Sequence, residues 1–239
     1  MKALILAAGE AKRLKPITEN KPKCLLPVGD QSIIDYQIDH LRTVAVTDIT
    51  VVTGFYAEKL ETHLTSHHPD VQFTFIRNDD YYKTYPAYGM YVAKDCFTDD
   101  VLYLNADVVF HADIIKQVVE SEHDSVTAMQ RLQWDEEQVN IILNSEGQVT
   151  QLGKHIAREL NDGEFIGVTK IGKEFGKVLL DVLYDFVAKE ETKKFAADAL
   201  NLCIQRGSQL YALDVTAYPA IEIDTPDDLI EAQAQIKNF

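Results

Sequence analysis

Three short segments, far apart in the chain, carry the residue types that handle phosphate and a hard metal ion. The first is Leu6-Ala7-Ala8-Gly9-Glu10-Ala11-Lys12-Arg13-Leu14, followed by Lys21-Pro22-Lys23. An apolar run entering a glycine turn offers backbone N–H groups at the C-terminal edge of a sheet, where open α/β folds bind anions. Lys12, Arg13, Lys15, Lys21 and Lys23 put five of the 23 basic side chains within twelve residues, where an even spread gives about one. In a chain of net charge −15 such an excess reads as a polyphosphate cradle. A solvated basic loop would have the same composition; the strand and glycine ahead of it favour the cradle. The second segment, Val101-Leu102-Tyr103-Leu104-Asn105-Ala106-Asp107, is an apolar strand ending in an acid. A carboxylate there faces the same crevice and suits Mg²⁺ on a nucleotide, although an Asp after a strand also serves as a turn or cap residue. The third, Ile221-Glu222-Ile223-Asp224-Thr225-Pro226-Asp227-Asp228, sets Asp224 just before a helix start.

These segments need a scaffold that brings strand ends together, and the pattern supplies one. Apolar runs rich in β-branched residues at Ala3 to Ala7, Ile49 to Thr53, Val71 to Ile76 and Val101 to Asn105 alternate with helical patterns, which predicts an α/β fold with a doubly wound, mostly parallel sheet. Ile34, Ile38 and Leu41 share one face of a helix expected over Ser32 to Val44, and a second helix is expected over Ala57 to Leu64. Beyond Asp113 a helix runs to about Glu122, and the texture then changes. Strands at Ser125 to Gln130, Val139 to Asn144, Val149 to Leu152 and Phe165 to Ile171 predict a mixed or antiparallel part that walls a substrate site. Helices over Lys173 to Lys189 and Phe195 to Arg206 follow, then strands at Gln209 to Val215 and Ala220 to Ile223. Thr225-Pro226-Asp227-Asp228 starts a last helix reaching Ile236, with Thr as N-cap, Pro at the first helical position and an acid three residues on. We read residues 1–239 as one domain, with 1–122 mainly nucleotide-binding and 123–239 mainly acceptor-binding.

Composition excludes several classes. The acidic balance argues against nucleic acid and anionic membrane as partners, which need an extended basic footprint. Cys24, Cys96 and Cys203 are scattered and odd in number, so neither a disulfide framework nor a CxxC site is expected, and a reducing cytoplasm fits. The apolar N-terminal run is too short for a membrane span or a signal-peptide core. No GK[ST] follows the first glycine, so the loop is not a Walker A loop, and it lacks the further glycines of a dinucleotide fingerprint. With no HxxH-like histidine pair beyond His67-His68, zinc is not expected.

The first segment resembles the signature LAAGxGxRLxP…PK of the sugar-phosphate and phosphocholine nucleotidyltransferases, with Ala11 where the family usually has its second glycine. Alanine resists positive φ, so the loop geometry is a point to check. The resemblance extends to Asp107 and to Asp224 with the helix start behind it, and it implies that both are ligands of the Mg²⁺ cofactor. It implies further that Leu6 to Arg13 and Lys23 bind the NTP, with Arg13 on the β and γ phosphates and Lys23 beside the α-phosphate and the attacking oxygen. Catalytic roles thus fall on Lys23, Arg13, Asp107 and Asp224. Gly163-Glu164-Phe165-Ile166-Gly167-Val168 is similar to the family's acceptor-side strand, and Lys154 precedes it as a phosphate contact. The absence of an extra C-terminal domain leans towards the phosphocholine cytidylyltransferase-like branch, hence CTP. Trp134 beside Asp135, Glu136 and Glu137 suits a cationic head group, while also fitting an exposed acidic turn with one aromatic anchor. Tyr85, within a cluster of tyrosines at positions 81–91, is a further acceptor candidate. The expected reaction is transfer of a nucleoside monophosphate to a small organic phosphate. A sugar 1-phosphate is the alternative acceptor, and a non-catalytic nucleotide-binding regulator is a more distant reading. A homo-oligomer is compatible with the sequence.

Overall fold

The computed structural model describes residues 1–132 and 134–239. Its centre is β1 (Lys2–Ala7), flanked by β4 (Asp48–Thr53) on one side and β6 (Val101–Asn105) on the other, all parallel, with β5 (Gln72–Arg77) outside β4. Alternation along β1 assigns its side chains to two cores. Ala3, Ile5 and Ala7 face one that includes Ile34, Ile38 and Leu41 of α1 (Ile33–Thr43), Leu60 and Leu64 of α2 (Ala57–His67), and Ile114, Ile115 and Val118 of α4 (Ala112–Glu120). Leu4 faces the other, built from α3 (Pro86–Val92), α5 (Lys173–Ala188) and α6 (Ala196–Gln205). Cover on both faces explains why these strands are apolar almost throughout.

The second half of the sheet turns antiparallel at β11 (Gly163–Ile171), whose nine residues are all buried. Its C-terminal half pairs with β6, its first two residues pair with β9 (Asn140–Leu143), and its other edge pairs with β8 (Val126–Gln130). β10 (Val149–Gly153) lies outside β9, antiparallel, and β12 (Tyr211–Asp214) runs parallel to β8. The β8 register shifts between Phe165 and Thr169, where Gly167 adopts φ 74. A Cβ on Gly167 would come 2.7 Å from the Asn105 Cβ, so only glycine lets β11 pass the end of β6.

Two small pairings finish the scaffold. β2 (Pro27–Val28) and β3 (Gln31–Ser32) form a hairpin, and β7 (Val108–Phe110) pairs antiparallel with β13 (Ala220–Glu222), Glu222 opposite Val108. The β7 pairing brings the end of the chain beside the end of β6. α7 (Pro226–Gln235) then starts as the sequence predicts. Thr225 Oγ1 accepts from the Asp228 N–H at 3.3 Å, and the Asp228 carboxylate accepts from the N–H groups of Thr225 and Asp224 at 2.6 and 2.9 Å. The periodicity did not reveal α3, which is only seven residues long and opens on Pro86 inside the tyrosine cluster. No described helix is long and apolar enough to cross a membrane.

Candidate active site

β1 delivers Ala7, Ala8 and Gly9 to the C-terminal edge of the sheet, and Lys12–Leu14 close the loop as one 3₁₀ turn anchored by the fully buried Leu14. Ala11 takes the left-handed conformation, φ 49 and ψ 57, the place where glycine was expected. An L-residue there carries a steric cost of about 1–2 kcal/mol, which the Thr18 hydroxyl helps offset by donating to the Ala11 carbonyl at 3.1 Å. The basic residues of the loop divide into two groups. Lys15 and Lys12 reach back to Glu10, at 2.7 and 3.4 Å, whereas Arg13 and Lys23 point to the acids brought by β6 and β13. Leu6, Ala7, Gly9, Ala11, Lys23, Cys24, Ala106 and Asp107 line a cavity of about 180 Å³. A neighbouring one of about 90 Å³ is lined by Leu6, Ala8, Gly9, Val52, Asn78, Tyr81, Thr84, Tyr85, Pro86 and Gly89.

Lys23 is the electrostatic centre. Its side chain is 13% exposed and its Nζ lies 2.8 Å from Asp107 Oδ2 and 2.6 Å from Asp224 Oδ1. Burial would lower the Lys23 pKa; the charges of Asp107 and Asp224 outweigh it, and the ammonium is held above its usual range. Burial likewise pulls Asp224 upward, but Lys23 and Arg13 hold its carboxyl below the usual value. Arg13 donates to Asp224 Oδ2, and its other terminal nitrogen reaches Glu137 at 3.1 Å.

Glu222 joins this group. Carboxylate oxygens of Asp107, Glu222 and Asp224 lie within 4.8 Å of one another, and Asp107 Oδ1 is buried without a hydrogen-bond partner. Crowding by surrounding protein, together with the charges of Asp107 and Asp224, pushes the Glu222 carboxyl up to about 8, although its side chain remains accessible from the cleft. Three hard oxygen donors with one orphaned atom suit a Mg²⁺-type cation, which takes few protein ligands and leaves room for phosphate and water. Sequence reasoning passed over Glu222; its signal was an acid two residues before Asp224, on the same face of an extended chain.

Beyond Arg13 opens a cavity of about 340 Å³ whose lining includes Gln130, Leu132, Gln138, Ile166 and Ile221. Among the described residues, seven of its lining side chains are acids, Asp135, Glu137, Glu164, Glu222, Asp224, Asp228 and Glu231, against the single cation Arg13. Glu164 is 9% exposed and its Oε2 has no partner; burial, with the charge of Asp135, pushes its carboxyl up to about 7. Gln130 and Asn140 lie opposite Glu164 on the two flanking strands. Gln130 Nε2 donates to the Tyr218 carbonyl and Asn140 Nδ2 to those of Asp135 and Gln138, which leaves the amide oxygen of each buried without a partner among the described residues.

The other acceptor candidates, Trp134, Lys154 and Tyr85, are not among the residues that line this cavity. Trp134 lies in the acidic loop with its indole Nε1 donating to the Ile156 carbonyl at 3.1 Å, while Leu132, Asp135, Glu137 and Gln138 of that loop line the cavity. Lys154 sits 4.9 Å over the Phe195 ring, which packs 5.0 Å from Tyr85. Tyr85 itself lines the small pocket beside Gly9. The geometry thus gathers Lys23, Arg13, Asp107, Asp224 and Glu164 around one cleft and sets Tyr85 on its Gly9 side.

The chain is similar to known proteins in sequence and in fold. Residues 2–152 match the family model described as nucleotidyl transferase. The chain is 26% identical over 253 residues to a CTP:phosphoglutamine cytidylyltransferase of Campylobacter jejuni, covering 96% of this chain and 98% of that protein. It is 22% identical over 242 residues to the UTP–glucose-1-phosphate uridylyltransferase AglF of Haloferax volcanii, covering 99% and 97%. The solved structure of the CTP:phosphocholine cytidylyltransferase LicC of Streptococcus pneumoniae superposes with a TM-score of 0.78 at 22% identity over 98% of both chains, a likeness of fold. Strand-end cradle, paired acids and matching family model together make this chain a member of the nucleotidyl transferase family and an enzyme that transfers nucleotidyl groups.

Proposed function

We propose that the enzyme transfers CMP from CTP to a small phosphate or phosphonate bearing a cationic head group, releasing pyrophosphate. The observation that carries this reading is the acceptor cavity, seven acids facing one arginine. Such a lining repels a second anion except where Arg13 and Lys23 receive it, and it rewards a positive charge at the far end. The narrow pocket of about 90 Å³ against Gly9, Tyr81 and Tyr85 favours a single-ring base, in keeping with cytosine.

In the proposed reaction an oxygen of the acceptor phosphate attacks the α-phosphorus of CTP, and the bond from that phosphorus to the bridging oxygen of pyrophosphate breaks in line. The acceptor is already an anion, so the protein supplies no nucleophile and catalysis rests on positioning and charge stabilisation. Lys23 exchanges its contacts with Asp107 and Asp224 for the α-phosphate oxygens, Arg13 leaves Glu137 for the β and γ phosphates, and the amides around Gly9 hold the triphosphate. Asp107 and Asp224, with Glu222 beside them, would hold a Mg²⁺ ion, whose chemistry is to neutralise phosphate charge as a Lewis acid. Asp135 and Glu137, which follow Trp134 and line the cavity, are proposed to face the cationic head, with Trp134 anchoring their loop on the Ile156 carbonyl and Lys154 and Tyr85 as outer contacts.

A second reading has its own support. The carboxylates that line the cavity accept hydrogen bonds from sugar hydroxyls as well as from ammonium N–H groups. Pyrophosphate release measured for CTP, UTP, GTP and dTTP, each with phosphocholine, phosphoethanolamine, an aminoalkylphosphonate and glucose 1-phosphate, separates the two. The proposal expects CTP with a cationic acceptor to give the highest kcat/KM. A faster reaction with glucose 1-phosphate overturns it in favour of the sugar.

A further inference from the structure

The apolar stripe of α1 is interrupted by a fully buried polar residue, Gln37. Ile34, Gln37, Ile38 and Leu41 follow the i, i+3, i+4, i+7 spacing of an apolar stripe, and all four are fully buried. Burying an amide among apolar side chains is unfavourable unless its donors and acceptor are used. Gln37 Nε2 gives both of its N–H groups to main-chain carbonyls, Asn105 at 2.8 Å and Val108 at 2.8 Å. Its Oε1 has no partner. Two carbonyl acceptors around one atom identify that atom as the nitrogen.

The two carbonyls are not arbitrary. Asn105 is the last residue of β6 and Val108 the first of β7, so they bracket Ala106-Asp107, the turn that presents the acid to the cleft. From the other side the Ile223 N–H donates to the Asp107 carbonyl at 2.9 Å. The turn is therefore held at its two ends by a side chain of α1 and at its middle by the strand end that carries Asp224. A methionine or leucine would fill the same space without burying an unsatisfied oxygen. Gln37 differs from them in supplying two donors on one atom at the reach needed to span the turn.

We propose that Gln37 is a positioning residue for Asp107: it sets the distance from the Asp107 carboxylate to those of Asp224 and Glu222. This rests on the reading that Asp107 helps hold a divalent cation. Replacing partners that orient metal ligands through an intervening hydrogen bond lowers metal affinity by roughly 10–100-fold, and Gln37 acts one step further back, through the main chain.

The test compares Gln37→Met, which keeps volume and loses both donors, with Gln37→Asn, which keeps the amide one carbon short and preserves polarity if the Met variant fails to fold. Ile38→Ala, on the same helix face, serves as a destabilised reference. Mn²⁺ binding to the protein alone is followed by electron paramagnetic resonance, and the Mg²⁺ concentration for half-maximal pyrophosphate release is measured beside kcat and melting temperature. Gln37→Met is expected to weaken Mn²⁺ binding and raise the half-activating Mg²⁺ concentration by roughly tenfold, near the lower end of that range, with most of kcat recovered at saturating Mg²⁺. Gln37→Asn should fall between it and the parent. Ile38→Ala should lower the melting temperature and leave both metal readouts unchanged. Parental Mn²⁺ affinity in both Gln37 variants, or an equal loss in Ile38→Ala, overturns the proposal. An Asp107→Ala variant that binds Mn²⁺ as tightly as the parent instead removes the metal reading itself, and the role of Gln37 with it.

Discussion

Replacing Lys23 with methionine tests the electrostatic centre of the site most directly. The substitution keeps an unbranched side chain of similar length and removes the ammonium that lies 2.8 Å from Asp107 and 2.6 Å from Asp224. Among the described residues, Arg13 on Asp224 would then be the one cation left in direct contact with three carboxylates whose oxygens lie within 4.8 Å of one another. Breaking a fully buried pair costs about 3–5 kcal/mol. Here the aspartate side chains are 27% and 32% exposed, so water screens part of the repulsion and about 2–3 kcal/mol is the working figure. For a chain of this size each kcal/mol shifts the melting temperature by about 2–4 °C, which gives a fall of roughly 4–12 °C without added metal. The raised Lys23 pKa means that its contribution is fully present below its unfolded value and is lost only as pH rises past the folded one; the deficit should thus hold steady from pH 6 to 7 and grow as Glu222, pushed up to about 8, ionises beside the two aspartates. Mg²⁺, by entering among carboxylates freed of their internal counter-charge, should restore stability more strongly in the variant than in the parent. Turnover should still fall by about 10² or more, because no metal replaces the cation beside the attacking oxygen. Differential scanning fluorimetry across a Mg²⁺ series, with pyrophosphate release on the same samples, reads all three quantities. A variant as stable as its parent and as active at saturating substrate would refute the assignment of Lys23 to the reacting centre.

Other expectations follow from the same geometry. Asp107→Ala and Asp224→Ala should each lower turnover by about 10² or more with the fold retained, and full activity in excess chelator would exclude a metal role for both. Arg13→Ala should raise the KM for the nucleotide as well as lower kcat, since it frees Glu137 and removes a contact to the leaving pyrophosphate; an unchanged nucleotide KM would place Arg13 outside the triphosphate site. Glu164 is held protonated to about pH 7 in the folded chain against an ordinary value of 4.5, so the folded state binds the extra proton and stability of the ligand-free protein should decline as pH rises from about 4.5 to 7. The decline is worth about 3 kcal/mol at 1.36 kcal/mol per unit, and Glu164→Gln should flatten it in urea titrations at stepped pH. Ala11→Gly should leave stability unchanged or raise it by about 1 kcal/mol, the relief of the left-handed backbone exceeding the entropy cost of glycine. A loss would mean that the Ala11 methyl packs more firmly against its neighbours than its partial burial indicates.

Much of this protein was legible in one dimension because its information is local. A two-residue alternation and a 3.6-residue stripe are set by backbone geometry, so β1, β4, β6, α1 and α7 could be read from their own residues. Parallel strands joined by crossover helices end at one edge of a sheet, which is why the loop after Ala7 and the acid at Asp107 were expected to meet before any contact was seen. The sequence also carried the one departure in the loop, Ala11, while only the structure decided that the left-handed backbone is kept with alanine in it.

What the tertiary structure alone decided are the partnerships across long separations. The reach of Arg13 to Glu137 spans 124 positions, and the pairing of β13 with β7 brings Glu222 into the carboxylate group with Asp107 and Asp224. Neither can be read from spacing, because strand register and order are properties of the assembled sheet and are unrelated to distance along the chain. Gln37 shows the same limit in a single side chain. Along the sequence it is a polar interruption in an apolar stripe, and its meaning comes from two carbonyls 68 and 71 positions away. A hydrogen bond has direction and reach, and both are defined only once the helix has docked on the sheet.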